Sequence, residues 1–407
     1  MRIVVLCPHF APDVAPTGEV MTRLVEELAA RGHHVEVVTA LPWYRDHAVE
    51  PAWRGHLLRR ETTAWGRVTR IHPFASRDKR NLIARAAGFV AFTAVATVVA
   101  AMGRRADVVM AMSPPLTLGP AGWLAGTLRR APLVFNIQDV YPDVAVDVGA
   151  LTDARVIRLA RWLERFTYRR AAVVTVLSDD LADNVADRAG GRDRVAVIPN
   201  FVDAAAIRPG PRTNGYRAEY GLGDRTVVMY AGNIGYSQPL GMVVEAARRL
   251  AGRDDLVFVV NGGGSGLEAL EQAAAGLPNV VFAPLQPRER LPEVLAAADI
   301  HLVVLRSGVA RSSVPSKTYS ILAAGRPVLA SIDAGSQVAR MIEGAGAGLT
   351  VPPGDVDGFA HGVETLADDP EERAAMGARA RRFVEECHSP AAVAEMYEDL
   401  FRRVGGR

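Results

Sequence analysis

The stretch 226-TVVMYAGNIGYSQPL-240, an apolar run that ends in a glycine-containing loop, decides the fold class of this chain. Its first seven residues are nearly all apolar and predict a strand that is buried on both faces of a sheet. Four similar runs follow it: LVFVVNGGG (256–264), NVVFAP (279–284), IHLVVL (300–305) and PVLASI (327–332). Because buried strands separated by helices are typical of a parallel sheet, the second half is predicted to be a doubly wound α/β domain.

The first half of the chain repeats this alternation of strands and helices. Its apolar runs are RIVVLC (2–7), HVEVVT (34–39), DVVMAM (107–112), LVFNIQ (133–138), AVVTVL (172–177) and VAVIPN (195–200). Proline and glycine at 209–211 and 221–224 mark a linker between the halves. The 407 residues therefore suit two α/β domains, 1–205 and 206–380. The segment 381–407 is predicted to be a helix that could pack on the first domain.

Composition excludes several classes of protein. The chain is 49% hydrophobic and 23% charged, which is typical of globular domains and excludes a disordered chain. Neither Cys7 nor Cys387 belongs to a CxxC motif or a Cys/His cluster, which disfavours a structural zinc site and a redox motif. The apolar run Ile3–Cys7 is too short for a signal peptide, and the uncharged segment 86–103 is too weakly apolar to span a membrane. We therefore expect a cytoplasmic protein.

The basic residues are unevenly distributed, although the net charge is only +2. Residues 51–105 contain eleven Lys and Arg against two acidic residues, which indicates a polyanionic partner. No aromatic platform interleaves these arginines, so nucleic acid is disfavoured. We expect instead a peripheral contact with the inner face of the plasma membrane through residues 67–105. The alternative is an ordinary buried helix with solvated arginines at its ends.

Three loops that each follow a predicted strand have the composition of phosphate-binding loops: PTG (16–18), GNIGYSQ (232–238) and SSVPSK (312–317). Glycine permits close approach of the backbone to a ligand, and a helix N-terminus presents unpaired N–H groups to an anion. Ligands of parallel sheets bind at the carboxyl edge, where these loops begin. Each loop could also be a plain turn, and the glycines at 262–264 are predicted to form a tight turn.

Four polar residues in or near such loops are candidates for chemistry. Lys317 is one of only two lysines in an arginine-rich chain, and its compact ammonium suits a departing diphosphate; otherwise it is an exposed lysine in the first turn of a helix over 318–324. Asp139 follows a buried strand and could act as a base or orienting group, or cap a helix. We predict Lys317 and Asp139 as catalytic residues. His9 and Asp13, on the first strand–helix loop, are predicted to face the substrate that accepts the transferred group, or are merely solvated.

The order of the motifs along the chain resembles that of a known family. The motifs are PTG (16–18), RGHHVEVVTALPWY (31–44), SPPL (113–116), QDVYPD (138–143), VIPNFVD (197–203), YAGNIGYSQPL (230–240) and VPSKTYSILAAGRPVLASID (314–333). They resemble the family 4 glycosyltransferases, more narrowly the bacterial branch that includes the L-fucosamine transferases of O-antigen and capsule assembly. The resemblance implies the GT-B fold, in which two Rossmann-like domains face each other and the second binds most of the nucleotide sugar.

The resemblance also assigns the donor site residue by residue. Gly232, Asn233 and Gly235 would approach the donor diphosphate. The remaining donor-binding residues would be Gly18 from the first domain, Gln238, Leu285 and Gln286 beside the base, Ser316 and Lys317 over the diphosphate, and Ser320. The family uses no metal or other cofactor, and it retains the anomeric configuration while the leaving phosphate helps to deprotonate the acceptor.

Four positions depart from the family pattern. Ser312 and Ser320 stand where the family usually has two glutamates, the second of which binds the ribose. Gln238 replaces a phosphate-binding lysine of many members, and Gln138 replaces a histidine. Lys317 would then supply the missing cation.

Together these features predict a hexosyltransferase that uses a nucleotide sugar, expected to be a UDP-sugar, and a lipid-linked saccharide or small glycoside as acceptor. Two alternatives stay open at this point. One is a UDP-sugar 2-epimerase of the same architecture, and the other is a non-catalytic partner that binds a nucleotide sugar without turnover. A metal-dependent transferase is disfavoured, because an Asp-x-Asp motif occurs only at 355–357, far from the other motifs.

Overall fold

The computed structural model describes residues 1–45, 48–74 and 82–406, and the chain divides into two compact units. Unit 1 contains Met1–Val146, Ala150–Asn200 and the C-terminal segment from Pro390. Unit 2 contains Phe201–Ser389 together with Asp147–Gly149. The chain therefore passes from unit 1 to unit 2 near residue 200 and returns to unit 1 at its end.

Unit 1 is built on an eight-stranded sheet. Its strands, β1 to β8 in chain order, are Arg2–Leu6, His34–Ala40, Leu58–Thr63, Gly66–Ile71, Val108–Ser113, Leu133–Ile137, Val173–Val176 and Val195–Val197. The order across the sheet is β3-β4-β2-β1-β5-β6-β7-β8, and all neighbours are parallel except β3 and β4. Helices α1 to α6 are Pro16–Ala30, Leu82–Ala101, Leu118–Arg129, Asp143–Asp147, Ala154–Arg170 and Asp179–Ala189. Every residue of β5 and β6 is buried, as the solid apolar runs predict.

The hairpin of β3 and β4 is absent from the sequence prediction. The sequence of β3, LRRETT, is largely charged, and each of its residues is exposed or half-buried. A strand at the edge of a sheet has one open side and often carries charges that discourage further pairing. An apolar-run criterion therefore misses this edge, and it also misses the inner strand β4, whose sequence GRVTRI contains two arginines.

Unit 2 is built on a six-stranded, all-parallel sheet. Its strands, β9 to β14, are Thr226–Asn233, Leu256–Gly263, Val280–Ala283, Ile300–Val304, Val328–Ser331 and Gly348–Val351, in the order β11-β10-β9-β12-β13-β14. Helices α7 to α14 are Gly215–Glu219, Gly241–Arg249, Leu267–Ala273, Leu291–Ala297, Lys317–Ala323, Gln337–Gly344, Val356–Asp368 and Pro370–Cys387. Leu329 joins one apolar cluster, whereas its neighbours Val328 and Ala330 join another. Since successive strand residues point to opposite faces, the sheet has a core on each side.

The segment 381–407 is predicted to be one helix, but it contains the end of one helix and the whole of a second. The first, α14, ends at Cys387 in unit 2, and the second, α15 (Pro390–Gly405), packs against α1 in unit 1. Nε2 of His33 lies 3.0 Å from Oε1 of Glu398 on α15. The predicted boundary after residue 380 therefore falls inside α14, because the break occurs where Pro390 begins a new helix.

Each sheet has one point where the strand order reverses. In unit 1 it lies between β1 and β5, and in unit 2 between β9 and β12. The connections from the two strands leave in opposite directions there, which opens a crevice at the carboxyl edge where ligands bind. The α/β class with two Rossmann-like parallel-sheet units is thus confirmed.

The uncharged segment 86–103 lies almost entirely in α2. Within the described ranges, no helix has both the length and the apolar character that crossing a bilayer requires.

Candidate functional site

The reversal point of unit 2 brings together two of the predicted donor loops. Gly232 lies at the end of β9, inside the strand rather than in the loop after it, and Lys317 begins α11 beyond β12. A Cβ atom on Gly232 would lie 2.9 Å from Nζ of Lys317. The φ of Gly232 is +139°, a conformation that side chains rarely adopt. The backbone conformation therefore requires glycine at position 232, and an added Cβ would displace the ammonium of Lys317.

The ammonium of Lys317 is buried and faces an aromatic ring. Nζ lies 3.5 Å from the ring centroid of Tyr230, and it has no hydrogen-bond partner among the described residues. Burial lowers the pKa of Lys317 to about 7. The ring offsets part of the cost of removing this cation from water. An ammonium held in this way gains most from a nearby anion, because no protein acceptor competes for it.

Tyr230 also fixes the end of β9. Its ring is fully buried, and its hydroxyl donates a hydrogen bond to the carbonyl oxygen of Asn233 at 2.5 Å. Burial raises the pKa of Tyr230, so the hydroxyl stays protonated as a donor at neutral pH. The sequence contains Tyr230 inside an apolar run, where nothing distinguishes it from a core residue.

The loop after β9 is tied to the loop after β10. The amide of Ile234 donates to Gly263 O at 2.9 Å, and the amide of Gly266 donates back to Ile234 O at 3.0 Å. Strand β10 continues to Gly263, so the tight turn predicted at 262–264 is wrong for its first two residues. A Cβ on Gly262 would overlap Gly232 O, because the two glycines face each other in the pairing of β9 and β10.

Asn233, Gly235 and Gln238 cluster within this loop. A Cβ on Gly235 would lie 2.8 Å from Nδ2 of Asn233 and 3.4 Å from Oε1 of Gln238. The amide of Gln238 donates to Gly235 O at 3.1 Å. The predicted residues of this loop therefore form one compact turn beside Gly232, and Asn233 is exposed.

The serines near α11 have different surroundings. Ser316 precedes the helix and is exposed, without a side-chain hydrogen bond to the first turn, and Ser320 is half-buried one turn later. Ser312 is buried, and its hydroxyl donates to Oδ2 of Asp147 at 3.0 Å. Because α11 has only seven residues, the positive charge at this point comes from Lys317 rather than from a long helix.

Leu285 and Gln286 follow β11, which β10 separates from β9. Leu285 is 70% exposed. The side-chain Nε2 of Gln286 donates a hydrogen bond to the hydroxyl of Tyr220 at 3.0 Å, and its Oε1 accepts one from Nη1 of Arg290 at 2.8 Å. These residues share the carboxyl edge with Gly232 but lie about 10 Å along it, two strand spacings away. A nucleoside monophosphate is long enough to reach across such a separation.

In unit 1, the loop after β1 carries a histidine–carboxylate pair. Nδ1 of His9 lies 2.7 Å from Oδ2 of Asp13, and the other oxygen of Asp13 accepts from the amide of Tyr44 at 3.1 Å. The ring of His9 stacks on Trp43, with centroids 5.4 Å apart, and meets Tyr44 edge-on. The carboxylate favours the tautomer with the proton on Nδ1, which leaves Nε2 as an acceptor.

Gly18 lies in the first turn of α1, so the prediction of a loop at 16–18 is wrong. The helix starts at Pro16, because proline is well suited to the first helical position, where its missing N–H costs nothing. A Cβ on Gly18 would lie 2.8 Å from Cβ of His9. The absence of a side chain at Gly18 therefore allows α1 to pack closely against the loop that carries His9.

Asp139 lies two residues beyond β6 and is half-buried. It is not the residue that precedes α4, which begins at Asp143. The neighbouring Gln138 is held at both ends of its amide: it donates to Oδ1 of Asn136 at 2.9 Å and accepts from Nδ2 of Asn200 at 2.9 Å. At this position the chain thus has a buried network of side-chain amides.

The basic run predicted to contact a membrane is only partly described. Arg67 pairs with Glu36 at 2.7 Å, and Arg70 is buried and pairs with Glu61 at 3.1 Å. The cations at 77, 79 and 80 lie outside the described residues. Among the described residues, no cluster of three or more His, Cys, Asp or Glu side chains is arranged to hold a metal ion.

Known proteins resemble both halves of the chain. Residues 17–200 match the family model described as "Glycosyl transferase 4-like domain", and residues 225–369 match "Glycosyl transferases group 1". The chain is 30% identical over 376 residues to the "Putative colanic acid biosynthesis glycosyl transferase WcaI" of Escherichia coli, which covers 89% of this chain and 91% of that protein. It is 30% identical over 401 residues to the D-inositol 3-phosphate glycosyltransferase of Nocardia farcinica, covering 93% and 84%.

Solved structures share the fold at low identity. Sucrose-phosphate synthase from Thermosynechococcus elongatus has a TM-score of 0.75 at 19% identity, with 100% of this chain and 99% of that chain covered. Anabaena HepE in complex with UDP-glucose has a TM-score of 0.72 at 16% identity, with 99% and 100% covered.

Fold and sequence together define a glycosyltransferase of the GT-B class. The chain belongs to the family 4 glycosyltransferases, and it is a hexosyltransferase. The predicted family and enzyme class are confirmed, and a 2-epimerase is not favoured. The narrower resemblance to L-fucosamine transferases stays a prediction.

Proposed function

We propose that this enzyme transfers a hexose from a UDP-sugar to a lipid-linked saccharide or a small glycoside, without a metal and with retention of the anomeric configuration. The observation that carries the proposal is the buried, unpartnered ammonium of Lys317 beside Gly232 at the reversal point of unit 2. A single cation placed there suits the charge that develops on a departing diphosphate.

The donor side of the proposal rests on unit 2. Gly232, Asn233 and Gly235 form a compact turn whose backbone a diphosphate can approach closely. Lys317 would bind the phosphate oxygens most strongly as the glycosidic bond breaks, because negative charge on the leaving group increases then. HepE, a relative in fold, has been solved with UDP and with UDP-glucose, which supports a uridine nucleotide. Leu285 and Gln286 would lie beside the base.

The acceptor side rests on unit 1. Nε2 of His9 would accept a hydrogen bond from the acceptor hydroxyl and orient it, while Asp13 holds the imidazole. In a retaining mechanism the leaving phosphate takes the proton, so His9 need not act as the base. One relative is named for colanic acid biosynthesis, which supports a saccharide as acceptor, and another for D-inositol 3-phosphate, which supports a small polyhydroxylated acceptor.

The first experiment is a thermal-shift panel with UDP, dTDP, GDP and ADP on wild type and Lys317→Met. A nucleotide at about 100 times its Kd adds about 2.7 kcal/mol to the free energy of unfolding. A selective shift with UDP that shrinks in the variant supports the proposal. A shift with GDP instead would contradict the assigned nucleotide. Binding without transfer to any acceptor would favour the non-catalytic alternative.

The membrane contact through residues 67–105 also belongs to this proposal. Neutralising Arg77, Lys79 and Arg80 together should reduce flotation with anionic liposomes. Equal flotation of wild type and variant would remove that segment from the proposal.

A further inference from the structure

Half of the large apolar side chains exposed in the described part of the chain lie on α2, α3 and α5 of unit 1. Helix α3 packs against both α2 and α5, so the three helices are neighbours. Representative exposed side chains are Val90 and Val98 on α2, Leu124 and Leu128 on α3, and Leu159 and Trp162 on α5. Apolar side chains exposed singly are ordinary, but a group on adjacent helices indicates an interaction surface.

The outward side of α5 is aromatic and aliphatic at its centre. Trp162 is 60% exposed and Leu159 is 64% exposed. The ring of Phe166 stacks on Trp162 at 5.7 Å and meets Trp123 of α3 edge-on at 5.3 Å. These contacts hold Trp162 in a row of rings that continues from α5 to α3. A large ring held outward in this way enters a partner at little cost in conformational entropy.

Arginines flank this apolar centre. Helix α5 carries six arginines, all exposed: Arg155, Arg158, Arg161, Arg165, Arg169 and Arg170. Its one acidic residue, Glu164, is buried, and Oε1 lies 3.5 Å from Nε of Arg188. The exposed face of α5 therefore presents positive charge without intervening carboxylates of its own helix.

Helix α2 extends the apolar part of the surface. From residue 86 to residue 101 it has no charged side chain, yet Val90 and Val98 are more than half exposed. A helix that is apolar on all sides is normally buried on all sides. The exposed side of α2 therefore lacks a partner of matching polarity within the described chain.

We propose that α2, α3 and α5 form a surface that docks on an anionic phospholipid bilayer. Trp162 and Leu159 would enter the interface between headgroups and acyl chains, and the flanking arginines would contact lipid phosphates while their aliphatic stems cover apolar surface. An apolar centre with a cationic rim matches this partner in both respects. A second copy of the chain matches it poorly, because a symmetric contact would bring two sets of arginines together. Helix α2 lies within the segment 67–105 already proposed to contact a membrane, and α3 and α5 extend that proposal. The surface does not depend on the identity of the donor.

The test is sedimentation of the full chain with vesicles of phosphatidylcholine, alone or mixed with phosphatidylglycerol. We expect binding to the mixed vesicles that weakens with salt. Replacing Arg158, Arg165 and Arg169 by Ser should weaken it about 100-fold. Trp162→Ser should weaken it about tenfold.

Matched controls make the result specific. The triple variant Arg208→Ser, Arg248→Ser and Arg382→Ser removes the same charge from exposed positions of unit 2, and Met396→Ser removes an exposed apolar side chain from α15. Both controls should bind vesicles like wild type. Every variant should keep its thermal shift with UDP, which separates failure of this surface from failure of the donor site. Equal vesicle binding by wild type and the α5 variants would overturn the proposal, as would a dimer that Trp162→Ser dissociates.

Discussion

The reversal points of the two sheets differ in whether their polar side chains have hydrogen-bond partners. In unit 2, the cation Lys317 is buried without a hydrogen-bond acceptor among the described residues, and the ring of Tyr230 faces it at 3.5 Å. In unit 1, His9 is paired with Asp13 at 2.7 Å, and the aspartate accepts a further hydrogen bond from the backbone. A cation without a hydrogen-bond acceptor is suited to bind an anionic ligand. A hydrogen-bonded pair is suited to orient a polar group of a substrate. The comparison teaches that similar sheet edges can be specialised through hydrogen-bond partners alone.

The sharpest way to break this comparison is to remove the ammonium. Lys317→Met should lower kcat by about 100- to 1000-fold, because one preorganised group that meets developing charge contributes that much. The melting temperature should stay equal or rise, since a buried ammonium without an acceptor costs free energy in the folded state. Steady-state transfer and thermal unfolding measure the two effects. Arg382→Met, at an exposed position, is the control. Unchanged turnover would remove Lys317 from the site.

The His9–Asp13 pair of unit 1 is tested by Asp13→Asn. The amide can no longer hold the proton on Nδ1 of His9 as a carboxylate does, so the imidazole loses its fixed tautomer. We expect kcat to fall about tenfold to 100-fold, with the Kd for UDP unchanged. Asp224→Asn, at a fully exposed position, is the matched control. A change in UDP affinity equal to the change in kcat would contradict the assignment of His9 to the acceptor side.

The glycine next to the ammonium provides a third test. Gly232→Ala places a Cβ 2.9 Å from Nζ of Lys317 at a φ of +139°. The Kd for UDP should rise about tenfold, and the strained backbone should cost about 1–3 kcal/mol of stability. Gly241→Ala is the control, because a Cβ there meets no atom within 4 Å. Titration calorimetry and unfolding distinguish the two effects, and an unchanged Kd would show that the ligand does not depend on this approach.

The smallest expected effect is a pH dependence of donor binding. Burial lowers the pKa of Lys317 to about 7, and a bound diphosphate raises it again, so UDP binding takes up a proton. The affinity for UDP should fall about fivefold from pH 7 to pH 8, as the free ammonium loses its charge. The nearby His301 is fully buried, and burial lowers its pKa to about 4, so it stays neutral throughout this range.

The same titration of Lys317 changes the stability of the unliganded protein in the opposite direction to the UDP affinity. The unfolded chain holds the proton of Lys317 up to about pH 10.5, whereas the folded chain releases it near pH 7. The free energy of unfolding should therefore rise with pH across this window. In Lys317→Met, both the fall in affinity and this contribution to stability should disappear. A wild-type affinity that is flat from pH 7 to pH 8 would contradict the buried-ammonium interpretation.

The predictable parts of the molecule are those that a local pattern determines. Central strands such as β5 and β9 are solid apolar runs, and glycines mark the loop after β9. The charged edge strand β3 has no such pattern, because an edge needs no buried face. The start of α1 at Pro16 was also missed, since helical periodicity alone does not count a terminal proline.

The sequence by itself determined the α/β class, the presence of two parallel-sheet domains and the family, because these depend on periodicity and on motifs along the chain. It also singled out Lys317 as a rare lysine at a helix start. Only the tertiary structure decided that this ammonium lies on the ring of Tyr230, that His9 is held by Asp13 and Trp43, and that α3 packs against both α2 and α5. Burial, and the loss or gain of a partner, depend on residues that are far apart in sequence, so no local pattern specifies them.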